Sequence, residues 1–381
     1  MKIGIVSWKQ GGGTNDYVLP DKSKPWMKNL KVVTKGKYKG KIPFEKALIE
    51  AMKYKYKENI EEINYINSFN EKKLKHNDIN FLVSLNLLAA WEKGDKEYKR
   101  VLKIMKDPTI NIYPNLKEQM FLFDKGDYLN YYKDKGLPIA PTFILKKDRN
   151  VRRLIAKVEE HGWTSFVLKP YYAYANIGIG KFDLGEPDVK DKVAKYLTKH
   201  KRFPAFVCQE VMDGFAKFLE VKSFWLNGKF KYYVAMKASG AVFDIDEIDN
   251  PDDFGKVSPS VLKQIKLMSQ KIIDNYPSNL NKFSNPPMYL RIDFGCCKNN
   301  TLDGKSYFFN EIEFAGCAIF TEESKLKNIT ELWADAYYKK ALDYLKSNKK
   351  QNRQQKNSKK TLHKRKRNIS RKKTRKKTRR K

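Results

Sequence analysis

The chain has 381 residues, 41% of them apolar and 13% aromatic, enough for two or three packed lobes with cores of their own. It carries 78 Lys and Arg against 43 Asp and Glu, a formal charge of +35. Nineteen of those cations lie between Lys349 and Lys381, where there is no acid, so the body keeps +16. A body this basic favours an anionic ligand, while four scattered histidines and four cysteines without CxxC spacing argue against a His-based triad or a zinc site.

In chain order, residues 2–7 read as a buried strand. Gly11, Gly12 and Gly13 after it read as a turn, with a substrate loop as the alternative. Helical periodicity over 43–57, an apolar strand at 79–85 and a helix over 87–105 suggest a small α/β lobe, expected at 1–110. Residues 115–135 are helical with a break near Asp124. Gly136 closes that helix, and Pro138 and Pro141 force an extended exit into 142–145. A helix, a strand at 165–169, a glycine-bearing loop, a helix at 189–200 and a strand at 205–210 follow. Strands near 218–226 and 229–236 meet at Asn227-Gly228, a hairpin signal. A helix at 258–276 leads to strands at 288–294 and 306–314 around a polar turn, and a last helix at 329–345 ends a second unit expected at 111–347.

Residues 348–381 lack the apolar side chains needed to offset ordering entropy, and read as a disordered basic tail that would bind polyanions such as nucleic acid. The first residues do not form a secretory signal, and no apolar run approaches the ~20 residues of a membrane span. The expectation is an intracellular, cytoplasmic protein with reduced thiols, the tail adding a nuclear or polyanion-associated alternative.

Two constellations carry chemistry. Strand side chains alternate faces, so Arg291 and Asp293 share one face, and Glu311 and Glu313 share another. Pairing these strands antiparallel about the 301–304 turn sets Asp293 opposite Glu311 and Arg291 opposite Glu313. Facing carboxylates repel. Three carboxylates without a soft ligand select a hard cation, and Mg²⁺ bridging phosphates fits best; Arg291 pairing a glutamate on an exposed strand is the plain alternative. The second constellation is the strand ending in Lys169-Pro170, followed by a loop that includes Gly178 and Gly180. A strand-end lysine can hold phosphate oxygens as a point charge, and glycines let backbone approach them. No GxxxxGK[ST] is present, which excludes a P-loop. Ile292-Asp293-Phe294-Gly295 mimics a kinase DFG, but 258–292 contains no histidine for the required HRD loop.

In this order the motifs resemble the ATP-grasp superfamily, nearest its glutathione-synthetase-like and carboxylate–amine ligase branches, over about 110–320. Phe123-Asp124-Lys125-Gly126 through Gly136-Leu137-Pro138 to Pro141-Thr142 is similar to that family's "DK…gip.PpT" entry, and Lys169-Pro170 to its second lysine. Cys208-Gln209-Glu210-Val211 resembles the adenine-binding hinge. Glu220 and Lys222 followed by Asn227-Gly228 resemble the "E.R…v.G.k" hairpin, with Lys222 where arginine is commoner. Arg291–Asp293 and Glu311–Glu313 resemble "R.D" and "E.N", with Glu313 replacing the asparagine.

The resemblance implies an α+β fold, in which two ATP-grasp subdomains grip ATP behind a small α/β N-terminal lobe. It implies an ADP-forming ligase that joins a small-molecule or peptide carboxylate to an amine through an acyl phosphate. Lys125 and Lys169 would hold phosphates, with the loop at Gly178 and Gly180 over them. Gln209, Glu210 and Val211, with Glu220 and Lys222, would complete the nucleotide site. Asp293, Glu311 and Glu313 would bind Mg²⁺ (Mn²⁺ as the alternative), and Arg291 and Lys237 would stabilise the transferring phosphoryl group. An ATP-grasp kinase of a phosphorylated small molecule and a nucleotide-binding scaffold acting through its tail remain the rival readings.

Overall fold

The computed structural model describes residues 1–7, 16–146, 149–173, 178–217, 219–237, 254–255, 257–280, 286–297, 307–314, 317–322 and 324–347. The tail, the Gly11–Gly13 segment and the 301–304 turn lie outside them.

The apolar run Ile3-Gly4-Ile5-Val6 forms β1 (Lys2–Val6), which needs cover on both faces and lies inside a parallel sheet. Two short strands, β2 (Tyr17–Val18) and β3 (Ile42–Pro43), pair antiparallel beside it. The helix Phe44–Tyr56 then leads to β4 (Glu62–Ile66), β5 (Ile79–Leu82) and β6 (Ile112–Tyr113). The sheet order is β4-β1-β5-β6. The helix expected over 87–105 is two, Leu87–Glu92 and Asp95–Lys106, because Gly94 between them adopts φ 112°.

Asn115 opens the helix Leu116–Phe123 with a capping box to Glu118. The break foreseen near Asp124 separates it from Lys125–Asp134. An antiparallel sheet follows, made of β7 (Thr142–Leu145), β8 (Ser165–Pro170), β9 (Gly180–Asp183) and β10 (Phe206–Glu210) in the order β7-β10-β8-β9. The amphipathic helices Val151–Glu160 and Val189–Lys199 supply Leu154, Val158 and Val193 to its own core with Phe166, Leu168 and Phe206.

The last sheet is antiparallel and five-stranded: β11 (Leu219–Leu226), β12 (Lys229–Lys237), β13 (Phe254–Gly255), β14 (Tyr289–Cys296) and β15 (Tyr307–Glu313), ordered β13-β12-β11-β14-β15. Asn227 (φ 50°) and Gly228 (φ 73°) make the tight β11–β12 hairpin that their sequence signalled. Ile265 and Ile272 of the helix Pro259–Asp274 share a core with Ile292 and Phe294 of β14. A final helix at 329–347 ties this sheet to the parallel one: Trp333 meets Tyr289 and Phe44, and Tyr337 meets Phe81. No helix among the described residues is long and apolar enough to cross a membrane. Cys208, Cys296 and Cys317 are buried cysteines outside any disulfide among the described residues.

Candidate active site

The site lies where the two antiparallel sheets meet. On the five-stranded sheet, the register is the one the alternation required: Arg291 faces Glu313, and Asp293 faces Glu311. Lys222 of β11 faces Asp293 from the other side, so Lys222, Asp293 and Glu311 form one row across three strands. The register shifts between Asp293 and Phe294, which pairs with Phe309 and leaves Asn310 as the extra residue of β15.

Charges alternate along this face. Arg291 grips Asp293 with a two-pronged fork, Nε to Oδ1 and Nη2 to Oδ2, both 2.9 Å, and reaches Glu313 Oε2 at 2.6 Å. Lys222 Nζ donates to Asp293 Oδ2 at 2.8 Å and lies 3.0 Å from Glu220 Oε2. Burial pushes the Asp293 carboxyl up, but Arg291 and Lys222 outweigh it and leave the pKa below the carboxylate norm. Burial likewise opposes charge on Arg291, and Asp293 and Glu313 more than offset it. Glu313 is less well compensated: burial carries it up to about 7, Arg291 opposes, and Glu311 and Asp293 add to the rise.

Lys125 and Lys169 arrive from the other side of the cleft. Lys125 starts its helix and pairs with Glu311 Oε1. Lys169, near the end of β8, donates to Gln209 Oε1 of β10 (2.8 Å) and to Asn310 Oδ1 of β15 (2.9 Å). Burial lowers Lys169 to about 8, Glu311 opposing this and Lys125 adding to it. Neither lysine's partner was visible in the sequence. Asn310, which no motif assigned to the site, and Thr142, which ended the quoted entry motif without a role and accepts from Gln209 Nε2 at 3.0 Å, join it.

Several assignments change. The three carboxylates do not converge, and no metal-holding group of three acidic, His or Cys side chains forms among the described residues. The reason is the cations between them: Asp293, 2% exposed at its side chain, has both oxygens taken, whereas Glu311 and Glu313 are 23% and 20% exposed and keep an open side. Lys222 is a buried partner of Glu220 and Asp293 rather than an open nucleotide contact. The Gln209 side chain holds Lys169. The N–H groups of Glu210 and Val211 are already spent on the carbonyls of Pro141 (3.0 Å) and Ser165 (3.2 Å), so those two donors are closed to a nucleobase. Gly178 and Gly180 pack against the helix Val189–Lys199: the Gly178 carbonyl accepts from Tyr196, and a Cβ on Gly180 would lie 2.8 Å from that ring. Residues 174–177 lie outside the described residues. Lys237 ends β12 opposite Leu219, and its side chain is likewise outside them.

No protein-family profile and no curated protein matches the chain. Solved structures do. D-cycloserine synthetase DcsG shares 12% identity at a TM-score of 0.61, over 90% of this chain and 100% of that one. D-alanine–D-alanine ligase from Bacillus anthracis, complexed with ATP, shares 13% at 0.55, over 91% and 99%. D-alanyl-alanine synthetase A from Vibrio cholerae O1 biovar eltor shares 10% at 0.53, over 91% and 99%. The likeness runs through the N-terminal lobe as well as both antiparallel sheets, and the chain thus has the ATP-grasp fold over about nine-tenths of its length.

Proposed function

We propose that the protein is an ATP-dependent ligase that joins a carboxylate to an amine through an acyl phosphate, with Mg-ATP held between the two antiparallel sheets. The reading rests on one observation above all: an under-compensated cation on β8 and an under-compensated carboxylate on β15 border the same cleft. Lys169 is a buried cation that donates to two neutral amides, and Glu313 is a carboxylate that shares Arg291 with Asp293. A polyphosphate answers the first and a divalent cation the second, so the donor set fits both. The neighbour complexed with ATP has the same fold.

In this reading Lys125 and Lys169 hold phosphate oxygens, Gln209 and Asn310 keep Lys169 pointed, and Glu311 and Glu313 supply the open carboxylates for Mg²⁺. When bound, Mg²⁺ draws charge from the phosphates and makes the terminal phosphorus more electrophilic. Asp293 and Lys222 act behind them by fixing Arg291 and Glu220. The substrate carboxylate oxygen attacks the γ-phosphorus, the bond to the β,γ-bridging oxygen breaks, and ADP leaves; the amine then adds to the acyl carbon and phosphate departs. Arg291, locked by its fork, neutralises charge on the transferring group without moving. No His-based apparatus is needed.

Supplying Mg-ATP, hydroxylamine and a panel of carboxylic and amino acids tests this. A hydroxamate and ADP in equal amounts is the expected product pair. AMP with pyrophosphate would mean adenylation, and ADP with a phosphorylated alcohol would mean a kinase; either replaces the proposal.

A further inference from the structure

The connection from β2 to β3 takes no part in the nucleotide site, and its charge is one-sided. Residues 22–41 hold eight lysines, no arginine and no acid within twenty positions. The helix Phe44–Tyr56 that follows mixes its charges, and there Lys53 pairs with Glu50 at 2.7 Å. A block of like charge usually stays solvated and unstructured, because self-repulsion opposes a compact form. This one is built.

It is anchored to the C-terminal part of the chain. The Asp16 carboxylate accepts the N–H groups of Ile319 (2.9 Å) and Phe320 (2.8 Å), and Thr321 Oγ1 donates to the Tyr17 carbonyl at 2.6 Å. Lys24 Nζ lies 2.8 Å from Glu331 Oε1, and Lys41 Nζ lies 2.7 Å from Glu322 Oε2. Trp26 Nε1 also donates to Glu331, at 3.2 Å. The Val33 N–H donates to the Lys41 carbonyl and the Gly40 N–H to the Val33 carbonyl, both at 2.8 Å, which closes the loop between them. Gly36 (φ 77°) and Gly40 (φ 83°) make the bends that this closure needs.

What the anchoring leaves over is cationic. The side chains of Lys22, Lys28, Lys31, Lys35 and Lys39 are exposed and make no hydrogen bond or ion pair among the described residues. Asp21, the acid next to them in sequence, is spent on the Ser23 N–H (2.9 Å) and hydroxyl (2.6 Å). Leu19 and Val32 add two exposed aliphatic side chains. The rings of the segment are engaged: Tyr17 and Tyr38 stack on each other at 3.9 Å, Lys37 lies over Tyr38, and Trp26 is buried. Arginine forks and open rings for base stacking, the common parts of nucleic-acid recognition, are thus not what this surface offers. Point charges beside aliphatic side chains suit the carboxylates of a polypeptide.

We propose that residues 22–41 are a docking surface for an acidic polypeptide, a stretch of Asp and Glu on a partner protein. The inference is independent of the ligase reading, since none of these five lysines belongs to the nucleotide cleft. Full-length protein is pulsed with an amine-acetylating reagent at about 0.15 M salt, where distant charges are screened. The pulse is given to the protein alone, with poly-L-glutamate, and with a single-stranded oligodeoxynucleotide, and modified lysines are read by mass spectrometry.

Polyglutamate should protect Lys28, Lys31, Lys35 and Lys39, and should do so more strongly than the oligonucleotide. Replacing the four together (Lys28→Gln, Lys31→Gln, Lys35→Gln and Lys39→Gln) should weaken polyglutamate binding about tenfold, since several exposed pairs are lost at once. ADP affinity should stay unchanged, which also reports that the variant is folded. The proposal is overturned if protection is confined to lysines of 349–381, or if the fourfold variant binds polyglutamate as the wild type does. Stronger protection of the four by the oligonucleotide would overturn it in favour of a nucleic-acid surface.

Discussion

Glu313 shares the Arg291 guanidinium with Asp293, and burial leaves its carboxyl at about 7 instead of the usual 4.5. Because the folded pKa is the higher one, the folded state binds more protons than the unfolded chain between those values. The stability that this provides is full below pH 4.5 and is lost as pH rises through 7. Urea midpoints of the wild type should therefore decline across that window relative to Glu313→Gln, which cannot titrate. Parallel profiles for the two proteins would mean that Glu313 is better compensated than its contacts suggest. Residue identity and strand alternation sufficed to place Arg291, Asp293, Glu311 and Glu313 on one face. They could not show that Arg291 and Lys222 would take both oxygens of Asp293, because a period of two assigns a face and not a partner. The same limit applies to Gln209, whose place beside the supposed hinge did not disclose that its amide holds Lys169.

At the scale of elements, the helix that opens with Lys125 depends on close packing. A Cβ on Gly126 would stand 2.1 Å from the Tyr171 hydroxyl and 2.6 Å from Ile144 Cδ1, which belong to the segment after β8 and to β7. Gly126→Ala should push the helix off both neighbours, carry Lys125 with it and destabilise the fold by about 1–3 kcal/mol. ADP affinity should fall although no charge has changed; an unaltered affinity would show that the position of Lys125 does not depend on this packing. Long periodic elements were legible from the chain, including the hairpin at Asn227-Gly228 and the register of β14 on β15. The parts that were not are short or mixed in pattern. Strands β2, β3, β6 and β13 have two residues each, too few to show a period. In β4, Glu62-Ile63-Asn64-Tyr65-Ile66 breaks alternation at its end, and its pairing with β1 supplies what its pattern lacks.

Over the whole molecule, the order of motifs disclosed the fold, since a lysine, a hinge, a hairpin and an acidic pair in sequence admit few arrangements. The contacts that make the cleft were hidden because they join residues far apart: Lys125 to Glu311 across 186 positions and Lys169 to Asn310 across 141. Those contacts bring the helix that opens with Lys125 and the four-stranded sheet that carries Lys169 onto β15, and in the proposed reading phosphates bind to the two lysines and a divalent cation to the carboxylates of β15. The direct test is calorimetric titration of the wild type, Lys125→Met and Lys169→Met with ADP and with adenosine, each with and without Mg²⁺. The account predicts that Mg²⁺ strengthens ADP binding to the wild type, and that each lysine variant loses roughly tenfold for ADP while adenosine is unaffected. Equal losses for adenosine, or ADP binding indifferent to both lysines, would contradict a phosphate grip between these two sheets.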